Sequence, residues 1–182
     1  MGRGPTPLTT ILIADPSLFW GRTLRSALAS IGLTQTVFET EAAAAMAALE
    51  TQSFQAAFVD LALEGGGATF VRRVRLSRGG HRFIPVVAMA ERATASRVAA
   101  ARDAGASGFL AKPFSVRHVE ERLTAVLHFP RDIIIAPDFL GPDRRRRRAG
   151  RPDAERRRTI PRDVAADDAE TADALNARAE AV

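Results

Sequence analysis

The chain has 182 residues, 46% of them apolar, with three histidines, no cysteine and a net charge of +5. That is enough for one domain with its own core plus an extension, and it excludes disulfide frameworks, thiolate metal sites and cysteine nucleophiles. Three scattered histidines do not make a zinc site, and no apolar run approaches the roughly 18 residues of a membrane span.

After a short leader (1–7), "LTTILIA" (8–14) reads as a buried strand that Asp15 ends. Because Asp15 cuts this run short, no signal peptide is expected, and the cytoplasm is the expected location. Residues 17–31 place Leu24, Ala27, Leu28 and Ile31 on one helical face, and Gly32 closes that helix. "TQTVF" (34–38) reads as a second strand and the alanine-rich 41–50 as a helix. "FQAAFVD" (54–60) is a strand ending in an acid. The loop "LALEGGG" follows, then a helix with Phe70, Val71 and Val74 inward. "IPVVAMA" (84–90) is another buried strand, and "ERATASRVAAARDAGA" a helix stopped at Gly105. "SGFLA" (107–111) is a short strand. Ser115 then caps a helix carrying Val116, Val119, Leu123 and Leu127.

Five strands alternating with helices, all too apolar for a sheet with a wet face, predict an α/β fold. The sheet is expected to be parallel, five-stranded and doubly wound, with helices on both faces. This domain spans 8–129. Pattern alone leaves the strand order open.

From about residue 130 the composition changes. Residues 130–182 carry one small apolar patch, then prolines, glycines and arginines, and are expected to be a disordered tail. Residues 144–162 hold ten arginines against Asp153 and Glu155, and residues 163–182 hold six acids against Arg178. The basic patch Arg144, Arg145, Arg146, Arg147 and Arg148 has no interleaved aromatics and no helix-turn-helix pattern beside it. Sequence-specific DNA binding is therefore not expected. A solvated tail, pairing with the acidic end, and non-specific contact with nucleic acid, a membrane surface or an acidic partner all remain open. "PDFLGPDRRRRR", which has apolar anchors, is a candidate docking motif.

In an open parallel sheet the ligand crevice lies outside the carboxyl ends of the strands. Asp15, Asp60 and Lys112 each sit at such an end, and Lys112 is the only lysine in the chain. Charges directly after buried strands are costly unless paired or hydrated. Two carboxylates there suit a hard divalent cation, and a slim ammonium suits a carboxylate or phosphoryl oxygen better than a guanidinium fork does. For Asp60 alone, the bland alternative is a solvated strand-end acid. For Asp15 it is an N-cap with Pro16 at the first helical position.

"ILIADPS", "FVD", "PVVAMA" and "GASGFLAKPF", in this order over residues 8–128, resemble the receiver domain of two-component response regulators. The resemblance implies that Asp60 accepts a phosphoryl group from a sensor histidine kinase or a histidine phosphotransfer protein. It implies Mg²⁺ between Asp60, the Ala62 carbonyl and Asp15, with Lys112 on the phosphoryl group. It also implies a cis Lys112–Pro113 bond, an aromatic switch at Phe109 and a partner face on the fourth and fifth helices with the fifth strand; a homodimer is a separate possibility. Such a domain is a regulatory phosphoacceptor rather than an enzyme, with at most slow self-dephosphorylation.

Two positions depart from the family. Pro16 stands where the second acid after the first strand normally ligates Mg²⁺, which puts the metal affinity in question. Ala90 stands where a switch hydroxyl is usual, with Thr94 and Ser96 as nearby substitutes. The loop after Asp60 lacks the usual proline and is expected to be unusually flexible. Two readings follow: an atypical phosphoacceptor, favoured by Asp60 and Lys112, and a non-phosphorylated pseudo-receiver adaptor, favoured by Pro16 and Ala90. Phe109 is as readily core as switch, surface roles are expected for His81 and His118, and Phe19 and Trp20 are expected to pack or to form part of an interaction face.

Overall fold

The structure is a computed structural model that describes residues 9–128, 133–136, 139–143 and 158–160. Five strands form one parallel sheet: β1 (Ile11–Ala14), β2 (Thr36–Glu39), β3 (Ala56–Asp60), β4 (Val86–Ala90) and β5 (Gly108–Ala111), in the order β2-β1-β3-β4-β5. The helices between and after them are α1 (Leu18–Ser30), α2 (Ala42–Thr51), α3 (Gly67–Leu76), α4 (Ala95–Asp103) and α5 (Val116–His128). A 3-10 turn at Gly80–Phe83 precedes β4. The predicted doubly wound α/β fold is therefore observed, and the strand order that pattern left open is fixed.

The period of two along each strand sorts side chains to opposite faces. Leu12 and Ala14 of β1 join Met46, Leu49, Phe70, Val71 and Val74 under α2 and α3. Ile11 and Ile13 join Leu24, Leu28, Val119 and Leu123 under α1 and α5. The predicted stripe of α5 shifts: Val116 is exposed and Val126 is buried, while Leu127 packs only partly against the core. Of α4, only Ala101 is buried, which leaves the rest of that helix on the surface.

The helix ends follow from local chemistry. Gly32 and Gly105, at φ of 87° and 97°, take the left-handed turn that follows α1 and α4. Thr94 accepts from the Arg97 amide at the start of α4, and Ser115 from the His118 amide at the start of α5.

The apolar patch after residue 130 forms structure that its composition did not suggest. β6 (Ile133–Ala136) pairs antiparallel with β7 (Phe139–Pro142) and with β8 (Arg158–Ile160), in the order β7-β6-β8. Ile133 and Leu140 bury against Phe83 and complete a third apolar cluster. A run of three β-branched residues favours the strand, and the 3-10 turn supplies the surface that the segment itself lacks. A Cβ on Gly141 would meet Gly105 Cα at 2.8 Å, so the two backbones touch because neither residue has a side chain. Phe83 thus packs against residues that lie beyond the boundary expected near 129. The rest of the expected tail, including Arg144–Arg148 and the acidic end, lies outside the described residues, as does the leader 1–7.

Arg75 is 1% exposed on the inner side of α3. It donates Nε to the Gly105 carbonyl (3.0 Å) and Nη1 to those of Arg82 (2.7 Å) and Ile84 (2.9 Å). One guanidinium fork thereby ties α3, the 3-10 turn, the entry to β4 and the turn into β5. These ties lie at the pole of the sheet opposite the ends of β1 and β3.

Candidate functional site

Asp15, Asp60 and Lys112 meet at the carboxyl end of the sheet, at exposures of 0%, 3% and 5%. The sheet places them. The Lys112 amide donates to the Ala90 carbonyl (2.8 Å), the Leu61 amide to Met89 (2.8 Å) and the Asp15 amide to Glu39 (3.0 Å), so strand pairing continues to each charged residue. Lys112 Nζ lies 2.6 Å from Asp15 Oδ2 and 2.6 Å from Asp60 Oδ2. The second oxygen of each acid is also bonded: Asp15 Oδ1 accepts from the Ser17 amide (2.9 Å) and Asp60 Oδ1 from the Ala62 amide (2.7 Å). The three charges that sequence reasoning brought together are therefore one buried triad, and the solvated-acid reading of Asp60 fails.

Asp15 does not cap α1. Ser17 does, accepting from the Trp20 amide (3.4 Å), and Asp15 instead turns the chain into the helix through Ser17. Its carboxylate is thus available to Lys112. Burial pushes the Asp15 carboxyl above its ordinary value, against the lowering effect of the Lys112 ammonium and the Ser17 amide.

The loop after Asp60 is closed by backbone hydrogen bonds and one buried side chain. Leu63 is buried, the Leu63 amide donates to Asp60 O (3.2 Å), Gly66 to Leu63 O (2.8 Å) and Gly67 to Leu61 O (3.2 Å). A Cβ on Gly67 would collide with the Asp60 carbonyl oxygen, so only glycine lets α3 begin this close to β3.

Of the other expected residues, Ala90 is buried at the end of β4 and Lys112–Pro113 is cis. Thr94 and Ser96 bond each other (3.1 Å) at the exposed start of α4, where Thr94 caps the helix rather than replacing the hydroxyl missing at Ala90. Phe109 is half-buried and belongs to neither face of the core. His81, expected on the surface, is half-buried against Ser77 (Nε2 to Oγ 2.7 Å), and burial lowers its pKa. His118 is exposed, as expected.

Trp20, expected to pack or to join an interaction face, lies against the site. Its ring centroid lies 5.3 Å from Lys112 Nζ, and its indole N–H donates to Glu91 (3.3 Å). The signals were an aromatic pair opening the helix after Asp15 and an acid directly after Ala90.

The donor set for Mg²⁺ is small. Pro16 offers no side-chain oxygen, and among the described residues no group of three His, Cys, Asp or Glu could hold a metal. Mg²⁺ is nevertheless held elsewhere by one or two carboxylates with several waters. Asp15 and Asp60, both on one Lys112 ammonium, supply the two carboxylates of that description.

Residues 11–124 match the family model for the response regulator receiver domain. The chain belongs to this family of regulatory phosphoacceptor domains, which serve two-component signalling. It is 32% identical over 135 residues to the KDP operon transcriptional regulatory protein KdpE of Escherichia coli K12, covering 73% of this chain and 57% of that protein. The chain thus spans little more than half the length of that relative. A putative response regulator from Chloroflexus aurantiacus superposes with a TM-score of 0.62 at 25% identity, covering 66% of this chain and 98% of its own. The receiver domain of a sensor histidine kinase from Pseudomonas aeruginosa PAO1, solved with magnesium coordinated in its active-site cleft, superposes with a TM-score of 0.60 at 21% identity. It covers 66% of this chain and 98% of its own. No helix among the described residues is long and apolar enough to cross a membrane.

Proposed function

We propose that this chain is a phosphorelay receiver whose acceptor is Asp60. The observation that carries the reading is the buried triad, with the only lysine of the chain 2.6 Å from both strand-end acids. Phosphoryl transfer asks a protein mainly for positioning and charge neutralisation. Asp60 Oδ attacks phosphorus, the phosphorus–nitrogen bond to the donor imidazole breaks, and the ring nitrogen leaves with the electron pair. Lys112 then moves from the carboxylate it pairs to the phosphoryl oxygens that replace it. Asp15, Asp60 and the Ala62 carbonyl would hold Mg²⁺, which supplies positive charge at those oxygens when bound.

The donor is a sensor histidine kinase or a histidine phosphotransfer protein, and the output is protein contact. The exposed length of α4, with β5 and α5, supports a partner face there. Phe109, half-buried on β5, is the switch residue that this face would read.

Ala90 and Pro16 favour a second reading, a pseudo-receiver in which the triad only holds the fold and binding proceeds without phosphorylation. An acyl phosphate donor separates the two. Intact mass is followed with and without Mg²⁺ for the native chain and Asp60→Asn. One phosphoryl group added to the native chain alone supports the acceptor; no addition under either condition leaves the pseudo-receiver.

A further inference from the structure

Lysine is a flexible choice for a fixed charge, because its four-carbon stem loses much rotamer freedom when held. Two acids at 2.6 Å take two of its N–H directions. The ammonium also lies over the indole of Trp20, 5.3 Å from the ring centroid, within the range in which a tryptophan face attracts a cation.

The ring is itself held from three sides. Phe114, just after the cis peptide, packs at 5.5 Å and 47°. Phe19 meets it edge-on at 5.1 Å. Its N–H bonds Glu91, the residue after Ala90. The first turn of α1, the end of β4 and the segment between β5 and α5 therefore converge on one indole, and that indole touches the cation of the site.

We propose that Trp20, anchored by Glu91, is a positioning residue that holds the Lys112 ammonium in line with Asp60. The proposal rests on the phosphoacceptor reading for its consequence on rate, but not for the contact itself. A cation held beside Asp60 has only a short distance to move when phosphoryl oxygens arrive. The Trp20–Glu91 bond also ties α1 to the end of β4, beside the position where Ala90 offers no hydroxyl.

Because Lys112 is the only lysine, lysine labelled with ¹³C at the ε carbon gives one side-chain signal in the full-length chain. Ring current from the indole displaces its ε protons upfield. In Trp20→Leu that signal is expected to return toward the free-lysine position, and Asp60 phosphorylation by an acyl phosphate to slow roughly tenfold. Trp20→Phe, which keeps an aromatic face but not the Glu91 bond, is expected to recover part of both. Glu91→Ala is expected to shift the signal partway. An unmoved lysine signal in Trp20→Leu, in a chain shown folded by its amide spectrum, overturns the contact. A moved signal with an unchanged rate overturns the positioning role. A native chain that takes up no phosphoryl group overturns the acceptor reading, and with it the rate consequence, while the lysine signal still decides the contact.

Discussion

Lys112 Nζ lies 2.6 Å from Asp60 Oδ2, and the two side chains are 2% and 5% exposed. An ammonium this dry is stable only because carboxylates answer it, and the two acids tolerate each other only because it is there. Removing the cation alone should therefore be severe. Lys112→Met is expected to cost about 3–5 kcal/mol of stability, as when one partner of a buried pair is deleted. Urea unfolding measures it. Lys112→Arg is expected to fold poorly too, since a planar fork cannot occupy the space of a single nitrogen between two carboxylates.

Asp15 behaves oppositely. Burial raises its pKa in the folded chain, so the folded state binds a proton more tightly than the unfolded state. Its contribution to stability is fully present below the unfolded value of 3.8 and is lost as pH rises through the folded pKa. Asp15→Asn removes that loss. The variant is expected to melt above the native chain at pH 7, with the gain shrinking as pH falls toward the ordinary aspartate range. A melting series from pH 7 to pH 4 checks this.

Much of this site was legible in the sequence. Asp15, Asp60 and Lys112 each end an apolar run, and strand ends of a parallel sheet share one pole. Side-chain partners were less legible. Ser17 took the cap that was the alternative role for Asp15, because a serine two residues later could reach the Trp20 amide. The Trp20–Lys112 contact joins residues far apart in sequence, and no local pattern encodes it. In the fold, periodicity gave the strands and helices. The burial of Ile133 and Leu140 was hidden because their partner, Phe83, lies outside the segment. Arg75 was hidden because arginine reads as surface, although it falls four residues after Val71 on the buried face of α3.

Arg75→Met is expected to cost about 2–4 kcal/mol, since three carbonyls lose a charged donor. Phosphoryl uptake at the opposite pole should change little. Parallel unfolding and phosphorylation assays separate the two effects.

Gly141→Val should undock the β6–β7 hairpin. Its Cβ would meet Gly105 Cα at 2.8 Å and the Phe139 ring at 2.9 Å. A loss of about 1–3 kcal/mol is expected from overpacking, together with faster amide exchange at Ile133 and Ile134. Unchanged exchange would show that the hairpin does not depend on this backbone contact.

Trp20 is the only tryptophan, and it sits against Lys112. Phosphorylation that draws the ammonium toward phosphoryl oxygens should change its emission. The change is expected in the native chain and absent in Asp60→Asn under the same donor.

If Asp60 accepts the phosphoryl group, its aspartyl phosphate can be trapped chemically. Borohydride reduces an aspartyl phosphate to homoserine, which marks the acceptor permanently. After incubation with an acyl phosphate and reduction, peptide mapping is predicted to find homoserine at position 60 and unaltered aspartate at position 15. Homoserine at another position, or at none, would rule out Asp60 as the acceptor.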